Sequence, residues 1–280
     1  MNPPYPPTST FREALQAESP LQIAGAINAY AALQAQSAGF LALYLSGAGV
    51  ANHSYGIPDT GLTELEDVLI DVRRICGRVK LPLLVDIDTG WDDPAKAVRE
   101  VAAAGAAAVH IEDQVAAKLC GHLPGKYLVP KEEMVARVRA AVSGKPHSNF
   151  TIMARTDAVA VEGLAAAIDR ARAYVAAGAD MIFAEALRSL DDIRAFTREV
   201  KVPVLINLTE FGMTPYFTME EMREAGVAMV LYPLSASRAA ASASLEIYHA
   251  IRRNGTQSDV VDRMQTRTEL YEMLGYQPPK

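Results

Sequence analysis

Asp86 and Asp88 close the apolar run LPLLVDID (81–88) and stand two positions apart. On a strand, a side-chain period of two puts both carboxylates on one face and Ile87 on the other. Two hard oxygen donors on one face suit Mg2+, with Mn2+ an alternative, and leave waters and substrate oxygens to complete an octahedron. Asp59 and Glu112 are candidates for holding those waters in an outer shell. The competing reading is a helix cap or an ion-pair partner at a loop start. Cysteine and histidine are too sparse and wrongly spaced for zinc.

A second constellation is Lys118-Leu119-Cys120-Gly121-His122-Leu123-Pro124-Gly125-Lys126, whose glycines and proline make it a loop. Lys118 and His122 would lower the pKa of the thiol between them. A loop that carries an acid/base group down onto bound substrate is a common gating device. An exposed cysteine without a role is the equal alternative. Cys76, on the apolar stripe of a helix, reads as an inert core thiol.

Arg155, Arg238 and Arg267 have the planar fork that clamps a carboxylate. Glu185 reads either as a site group or as a structural ion pair to Arg155. His110 reads as a satisfied core histidine. Tyr44, with Ser46 and Gly47, offers a phenol and backbone donors, or else an aromatic of the core.

Something must position these groups. Eight short apolar runs recur at 21–27, 40–46, 81–88, 106–113, 150–157, 181–186, 202–208 and 227–233. Continuous apolar character over so few residues fits parallel strands buried on both faces. Helical patterns lie between them. Thr63 with Glu66 and Thr218 with Glu221 predict capping boxes, Asp93 before Pro94 predicts a cap with its first turn, and Gly77 predicts a C-terminal stop. The alanine-rich stretches 101–108, 165–179 and 239–243 predict close helix–sheet packing.

Eight strands with interleaved helices predict an α/β fold, a (β/α)8 TIM-type barrel. An open doubly wound sheet is the alternative, but no G-x-G-x-x-G follows an early strand. Barrel enzymes work at the C-terminal ends of strands, and here nearly every run ends in polar residues, from Asn28 and Ser46 round to Asn207, Thr209, Ser235 and Arg238. A ring of such groups at one mouth predicts a binding site. No Pro-, Gly- or Ser-rich linker divides the chain, so 1–280 reads as one barrel domain. Within it, 235–280 forms a C-terminal helical extension with helical patterns at 237–253 and 264–274.

Composition narrows the function classes. The 280 residues are 50% hydrophobic and 21% charged, with a net charge of −6 and two cysteines. Disorder and a disulfide-stapled scaffold are excluded on those figures. Nucleic-acid binding lacks its basic footprint. No run approaches the roughly 18 apolar residues of a membrane helix, and the N-terminal residues lack a signal-peptide layout. The expectation is a soluble, cytoplasmic protein with a small-molecule partner and no membrane or nucleic-acid partner.

Eight stretches in order carry a resemblance: YLSGAGV (44–50), LLVDIDTG (83–90), HIEDQ (110–114), KLCGH (118–122), IMARTDA (152–158), NLTEFG (207–212), LYPLSASRAA (231–240) and NGTQ…MQTRTELYE (254–272). Together they resemble the isocitrate lyase/phosphoenolpyruvate mutase superfamily, and within it the methylisocitrate-cleaving branch. The resemblance implies a barrel whose terminal helix is exchanged between subunits of a homotetramer. It implies Mg2+-dependent cleavage of the tricarboxylate 2-methylisocitrate to pyruvate and succinate, in propionate breakdown. Asp86 and Asp88 would serve the metal, with Asp59 and Glu112 in its water shell. Ser46, Gly47, Ala48, Cys120, Gly121, Arg155, Glu185, Asn207, Leu208, Thr209, Arg238 and Arg267 would contact substrate. Cys120, Tyr44 and Arg155 would take part in the chemistry. Phe183 and Leu231 would leave room for the substrate methyl. Departures are Ala48 in place of a glycine, Leu119 in place of a basic residue, Ala184 in place of a proline, and a short loop after Asp88. Related activities on isocitrate, dimethylmalate or oxaloacetate, and a non-catalytic dicarboxylate binder, stand as alternatives.

Overall fold

Each of the eight apolar runs contains a parallel strand: β1 (Leu21–Gly25), β2 (Ala42–Leu45), β3 (Leu83–Asp86), β4 (Ala108–Glu112), β5 (Thr151–Thr156), β6 (Met181–Ala184), β7 (Val204–Asn207) and β8 (Met229–Tyr232). The computed structural model describes residues 10–116 and 125–277. The strands pair in chain order and close into a barrel, with β8 returning to β1 through Leu21 against Met229 and Ile23 against Leu231. The predicted (β/α)8 architecture is the observed one.

Alternation along the strands divides the core in two. Ile23, Tyr44, Leu84, Ala108, Met153, Phe183, Leu205 and Leu231 point inward and form one cluster. Their sequence neighbours, among them Leu43, Val85, Val109, Ile152, Ile182, Ile206 and Val230, face the surrounding helices. Helix Phe11–Ala17 closes the N-terminal end: Phe11 and Ala14, with Leu15 against them, belong to the inner cluster. Arg12 ties that helix to Asp180, one residue before β6, at 2.5 Å.

Most of the predicted helix signals are realised. Asp93 accepts from the Lys96 amide at 3.0 Å, with Pro94 opening helix Pro94–Ala103. Thr218 and Glu221 form their reciprocal box ahead of helix Met219–Glu224. The Thr63–Glu66 box is not the one formed. Helix Leu65–Cys76 is entered through Glu64, whose amide donates to Asp67 Oδ2 at 2.8 Å. Thr63 is buried instead, and its carbonyl accepts from Trp91 Nε1 at 2.9 Å, so a long-range contact shifts the helix start by one residue.

The C-terminal segment forms helix Ser235–Asn254, a 3-10 turn Ser258–Arg263 and helix Arg267–Leu274. Ala167, Ala171 and Ala179 are buried as predicted, but residues 239–243 are exposed. The reason is that helix Ser235–Asn254 leaves the barrel surface, burying only Ser237 and Ala250. Leu245, Tyr248 and Ile251, three residues apart, are exposed along it. Among the described residues no helix is long and apolar enough to cross a membrane.

Candidate active site

The inward ladders turn from apolar to polar in their last steps. Leu84 is followed by Asp86 on β3, Ala108 by His110 and Glu112 on β4, Met153 by Arg155 on β5, and Leu205 by Asn207 on β7. Glu185 follows Phe183 just beyond β6. The register sets Asp86 beside His110 and, one inward step further along, Glu112 beside Arg155, so these buried groups gather at the C-terminal mouth.

One side of the mouth is built around Asp86. Its Oδ2 accepts from the Gly47 amide at 3.1 Å and from the Tyr44 hydroxyl at 3.3 Å, and its Oδ1 accepts from the Asp88 amide at 3.0 Å. His110 Nε2 lies 3.0 Å from Tyr44 Oη and 3.4 Å from Asp86 Oδ1. The histidine ring stacks on Tyr44 and meets Phe183 edge-on. His110 is therefore wholly buried, as a core histidine would be, and also part of the site.

Asp88 joins Asp86, but not through strand alternation. The strand ends at Asp86, and Asp88 adopts φ +49°, so a left-handed turn brings its carboxylate round. A Cβ placed on Gly47 would stand 3.1 Å from Asp88 Oδ1 and 3.2 Å from Asp86 Oδ2. The two carboxylates thus converge on one backbone position that glycine leaves open. This donor set fits a hard cation that keeps several waters. Among the described residues no group of three or more His, Cys, Asp or Glu comes together as an all-protein cage. Asp59 is half-buried on the connection ahead of helix Leu65–Cys76, and Ser46 and Gly47 are buried beside a half-buried Ala48.

The other side is built around Arg155. Its Nε donates to Asp157 Oδ2 at 2.9 Å and an Nη donates to Asp157 Oδ1 at 3.2 Å. Glu112 and Glu185 approach the guanidinium at 3.4 and 3.3 Å, and the cation lies 5.1 Å from the centre of the Phe183 ring. Burial disfavours the charged guanidinium, but the carboxylates of Asp157, Glu112 and Glu185 prevail and hold its pKa well above the ordinary value. The Arg155–Glu185 ion pair expected as one alternative is present. Asn207 Nδ2 reaches both Glu185 oxygens at 3.4 Å, which are long contacts.

The remaining candidates differ in placement. Leu208 and Thr209 are buried just past β7, Leu208 in the outer cluster rather than the mouth. Arg238 is half exposed on helix Ser235–Asn254, 3.7 Å from Glu210 and stacked over Phe211 at 5.6 Å. Arg267 is exposed in the first turn of the last helix, and among the described residues it joins neither side of the mouth. Cys120 and Gly121 lie outside the described residues. Two groups escaped sequence reasoning as parts of the site, Asp113 and Lys126, and Asp157, which ends the fifth apolar run, was not paired there with Arg155. Lys126 Nζ binds Asp157 Oδ1 at 3.0 Å with both side chains buried, a pairing over 31 positions that no local pattern announces.

Among the described residues four non-glycine residues have positive φ: Asp88, Trp91, Ala186 and Phe211. All four follow C-terminal strand ends, so the strained backbone among the described residues sits on the loops of the mouth.

Residues 11–252 match the family described as phosphoenolpyruvate phosphomutase. The chain is 58% identical over 269 residues to the 2-methylisocitrate lyase of Shewanella oneidensis, covering 95% of this chain and 92% of that one. Among solved structures it is similar to 2,3-dimethylmalate lyase, described as a PEP mutase/isocitrate lyase superfamily member. That match has a TM-score of 0.88 and 34% identity, over 96% of this chain and 93% of the other. It is also similar to a phosphonopyruvate hydrolase complex with oxalate and Mg2+, at a TM-score of 0.82 and 30% identity, over 94% and 93%.

Proposed function

This chain belongs to the phosphoenolpyruvate phosphomutase family, and we propose that it is a carbon–carbon lyase cleaving 2-methylisocitrate to pyruvate and succinate. The observation that carries the reading is the 58% identity to a 2-methylisocitrate lyase over nearly the full length of both chains. The identity to 2,3-dimethylmalate lyase is 34%, so the methylisocitrate reading is favoured within the superfamily.

Mg2+, or Mn2+ in its place, would be held by Asp86 and Asp88, with Asp59 and Glu112 in its water shell. When bound it supplies Lewis-acid polarisation of the substrate's hydroxyl and adjacent carboxylate. The crowding of both aspartates onto Gly47, and a related structure containing Mg2+ and oxalate, support this assignment.

The reaction is a retro-aldol cleavage. The tertiary hydroxyl loses its proton, the bond from the carbinol carbon to the neighbouring carbon breaks, and the electron pair goes to the succinate fragment. Tyr44 is our candidate for the group that takes the hydroxyl proton, with His110 and Asp86 holding its oxygen. Arg155 and Glu185, with the backbone at Ser46, Gly47 and Ala48, line the substrate. Asn207 and Thr209, with Arg238, would supply donors to charge on the departing carboxylate, and Leu208 would contact substrate between them. Cys120, beside Gly121, delivers the proton to carbon. Phe183 and Leu231 border the substrate methyl.

The C-terminal extension 235–280, including Arg267, completes the site by exchange between copies of this chain in a homotetramer. The exposed Leu245, Tyr248 and Ile251 support a neighbour on that helix. Light scattering on the purified protein is expected to give a tetramer, and a monomer would exclude the exchange.

Cleavage of 2-methylisocitrate, isocitrate, 2,3-dimethylmalate and oxaloacetate with Mg2+, each followed by its own product (pyruvate from the first and third, glyoxylate from isocitrate, oxalate from oxaloacetate), tests the function. The expected result is a kcat/KM for 2-methylisocitrate at least roughly tenfold above the others, the scale a pocket gains from one methyl group. A higher value on any other member of the panel would replace the substrate.

A further inference from the structure

We propose that Asp157 is a positioning residue that fixes the Arg155 guanidinium in the barrel mouth, and that buried Lys126 is the counter-charge that allows it to do so. The role of Arg155 towards a substrate carboxylate rests on the function proposed above. The orientation of its side chain rests on geometry alone.

Three carboxylates surround Arg155, but they are not equivalent. Glu112 and Glu185 stand at 3.4 and 3.3 Å, whereas Asp157 takes two hydrogen bonds at 2.9 and 3.2 Å. A two-point grip defines the plane of a guanidinium, which a single contact cannot do. Asp157 is itself anchored. Its amide donates to Asp113 Oδ1 at 2.9 Å, while the Thr156 hydroxyl and the Tyr174 phenol donate to Asp113 Oδ2 at 2.7 and 2.8 Å. Tyr174 in turn accepts from Arg170, which grips Glu162 with two bonds of 2.7 Å and reaches the Val129 carbonyl. A continuous chain of hydrogen bonds therefore runs from helix Leu164–Ala176 to the Arg155 fork.

The arrangement carries an electrostatic difficulty. Asp113, Asp157, Glu112 and Glu185 are buried close together, and burial followed by the charge of Asp157 pushes the Asp113 pKa up. Arg155 offsets one of these charges. Lys126 supplies a second cation to Asp157, at the same Oδ1 that receives the Arg155 Nη donor. Its side chain is 1% exposed, and lysines are buried that deeply only when paired.

Asp157→Asn, Lys126→Met and the double variant test this. The direct readout is solvent exchange of the Arg155 Nε–H, followed by NMR and assigned by its loss in Arg155→Lys. Exchange is expected to be slow in the wild type and at least roughly tenfold faster in Asp157→Asn. The kcat/KM for 2-methylisocitrate is expected to fall roughly 10–100-fold, the scale of a misplaced binding group. The double variant should lose no more than the worse single one, since both act through one contact. Mg2+ affinity should stay within about threefold of wild type, because Asp86 and Asp88 are on the other side of the mouth and Glu112, which also faces Arg155, would reach the metal only through water; general loosening would weaken it too. If Asp157→Asn does not fold, Lys126→Met carries the same readouts. Wild-type exchange rates in a folded Asp157→Asn, or a matching loss of Mg2+ affinity, would overturn the inference. A wild type that releases no pyruvate counts against the lyase reading alone, since Nε–H exchange still reports on Arg155.

Discussion

The two ends of the barrel use the same inward positions in opposite ways. At the N-terminal end the ladder is apolar, and helix Phe11–Ala17 seals it with Phe11 and Ala14, both at most 5% exposed. At the C-terminal end the ladder ends in carboxylates, an arginine and a histidine, all buried, with strained turns beside them. The first arrangement lowers the free energy of the fold by removing apolar surface from water. The second places charges where burial penalises them and recovers that penalty through pairing. Stability and chemistry are therefore separable by position along a strand, and substitutions at the two ends should separate them too.

The largest effect expected is at the mouth. Asp86→Ala should lower kcat by roughly a thousandfold, the scale of the several kcal/mol that a catalytic metal contributes, with little change in Tm. Excess EDTA should do the same to the wild type. An active Asp86→Ala protein would remove the distinction between the two ends. Cys120→Ser should also abolish most turnover while substrate affinity, read by calorimetry, stays close to wild type. A near-normal kcat would remove the thiol from the mechanism.

Gly47→Ala sharpens the comparison within the mouth. Its new methyl would meet both aspartate oxygens, and Mg2+ affinity should drop roughly 10–100-fold, as for lost supporting contacts at a metal site. An unchanged Mg2+ titration would show that the carboxylates can move apart.

At the other end, Phe11→Ala should cost about 3–5 kcal/mol of stability in denaturant unfolding, with kcat/KM unchanged below the transition. A loss of activity without a loss of stability would break the contrast.

The smallest effect concerns Cys76, whose thiol is pushed up from 9.0 to about 12 by burial. The unfolded chain ionises this thiol first as pH rises. Its contribution is therefore fully present below pH 9 and is lost progressively between pH 9 and about 12. Alkylation of Cys76 in the folded protein at pH 8 should be negligible and should proceed after unfolding.

The site was partly legible before the fold. Asp86 and Asp88 stand out because two carboxylates at the end of an apolar run are rare unless used, and their convergence is observed. The expected cause was strand alternation; the actual cause is a left-handed turn at Asp88 packed against Gly47. The Thr63 cap failed for a related reason, since its carbonyl is taken by Trp91 from 28 positions away. Lys126 and Asp113 were invisible as site groups, because a lysine in a Gly-containing loop and an aspartate at a strand end look alike whether solvated or buried. Residues 239–243 misled in the other direction: small residues there predict packing against the sheet, but the helix that carries them leaves the barrel surface.

The alternation of apolar runs with capped helical patterns was enough to determine eight strands, a closed α/β barrel and the end at which polar groups collect. Those properties depend on periodicity and on the cost of burying polar side chains, both of which are local. The tertiary structure alone decided which polar groups neighbour one another across the chain: Arg155 with Glu112 and Glu185, Asp157 with Lys126, Asp86 with Gly47 and Tyr44. Electrostatic pairing depends on distance through space, and closing the barrel brings together groups that chain separation keeps apart in any reading of the sequence.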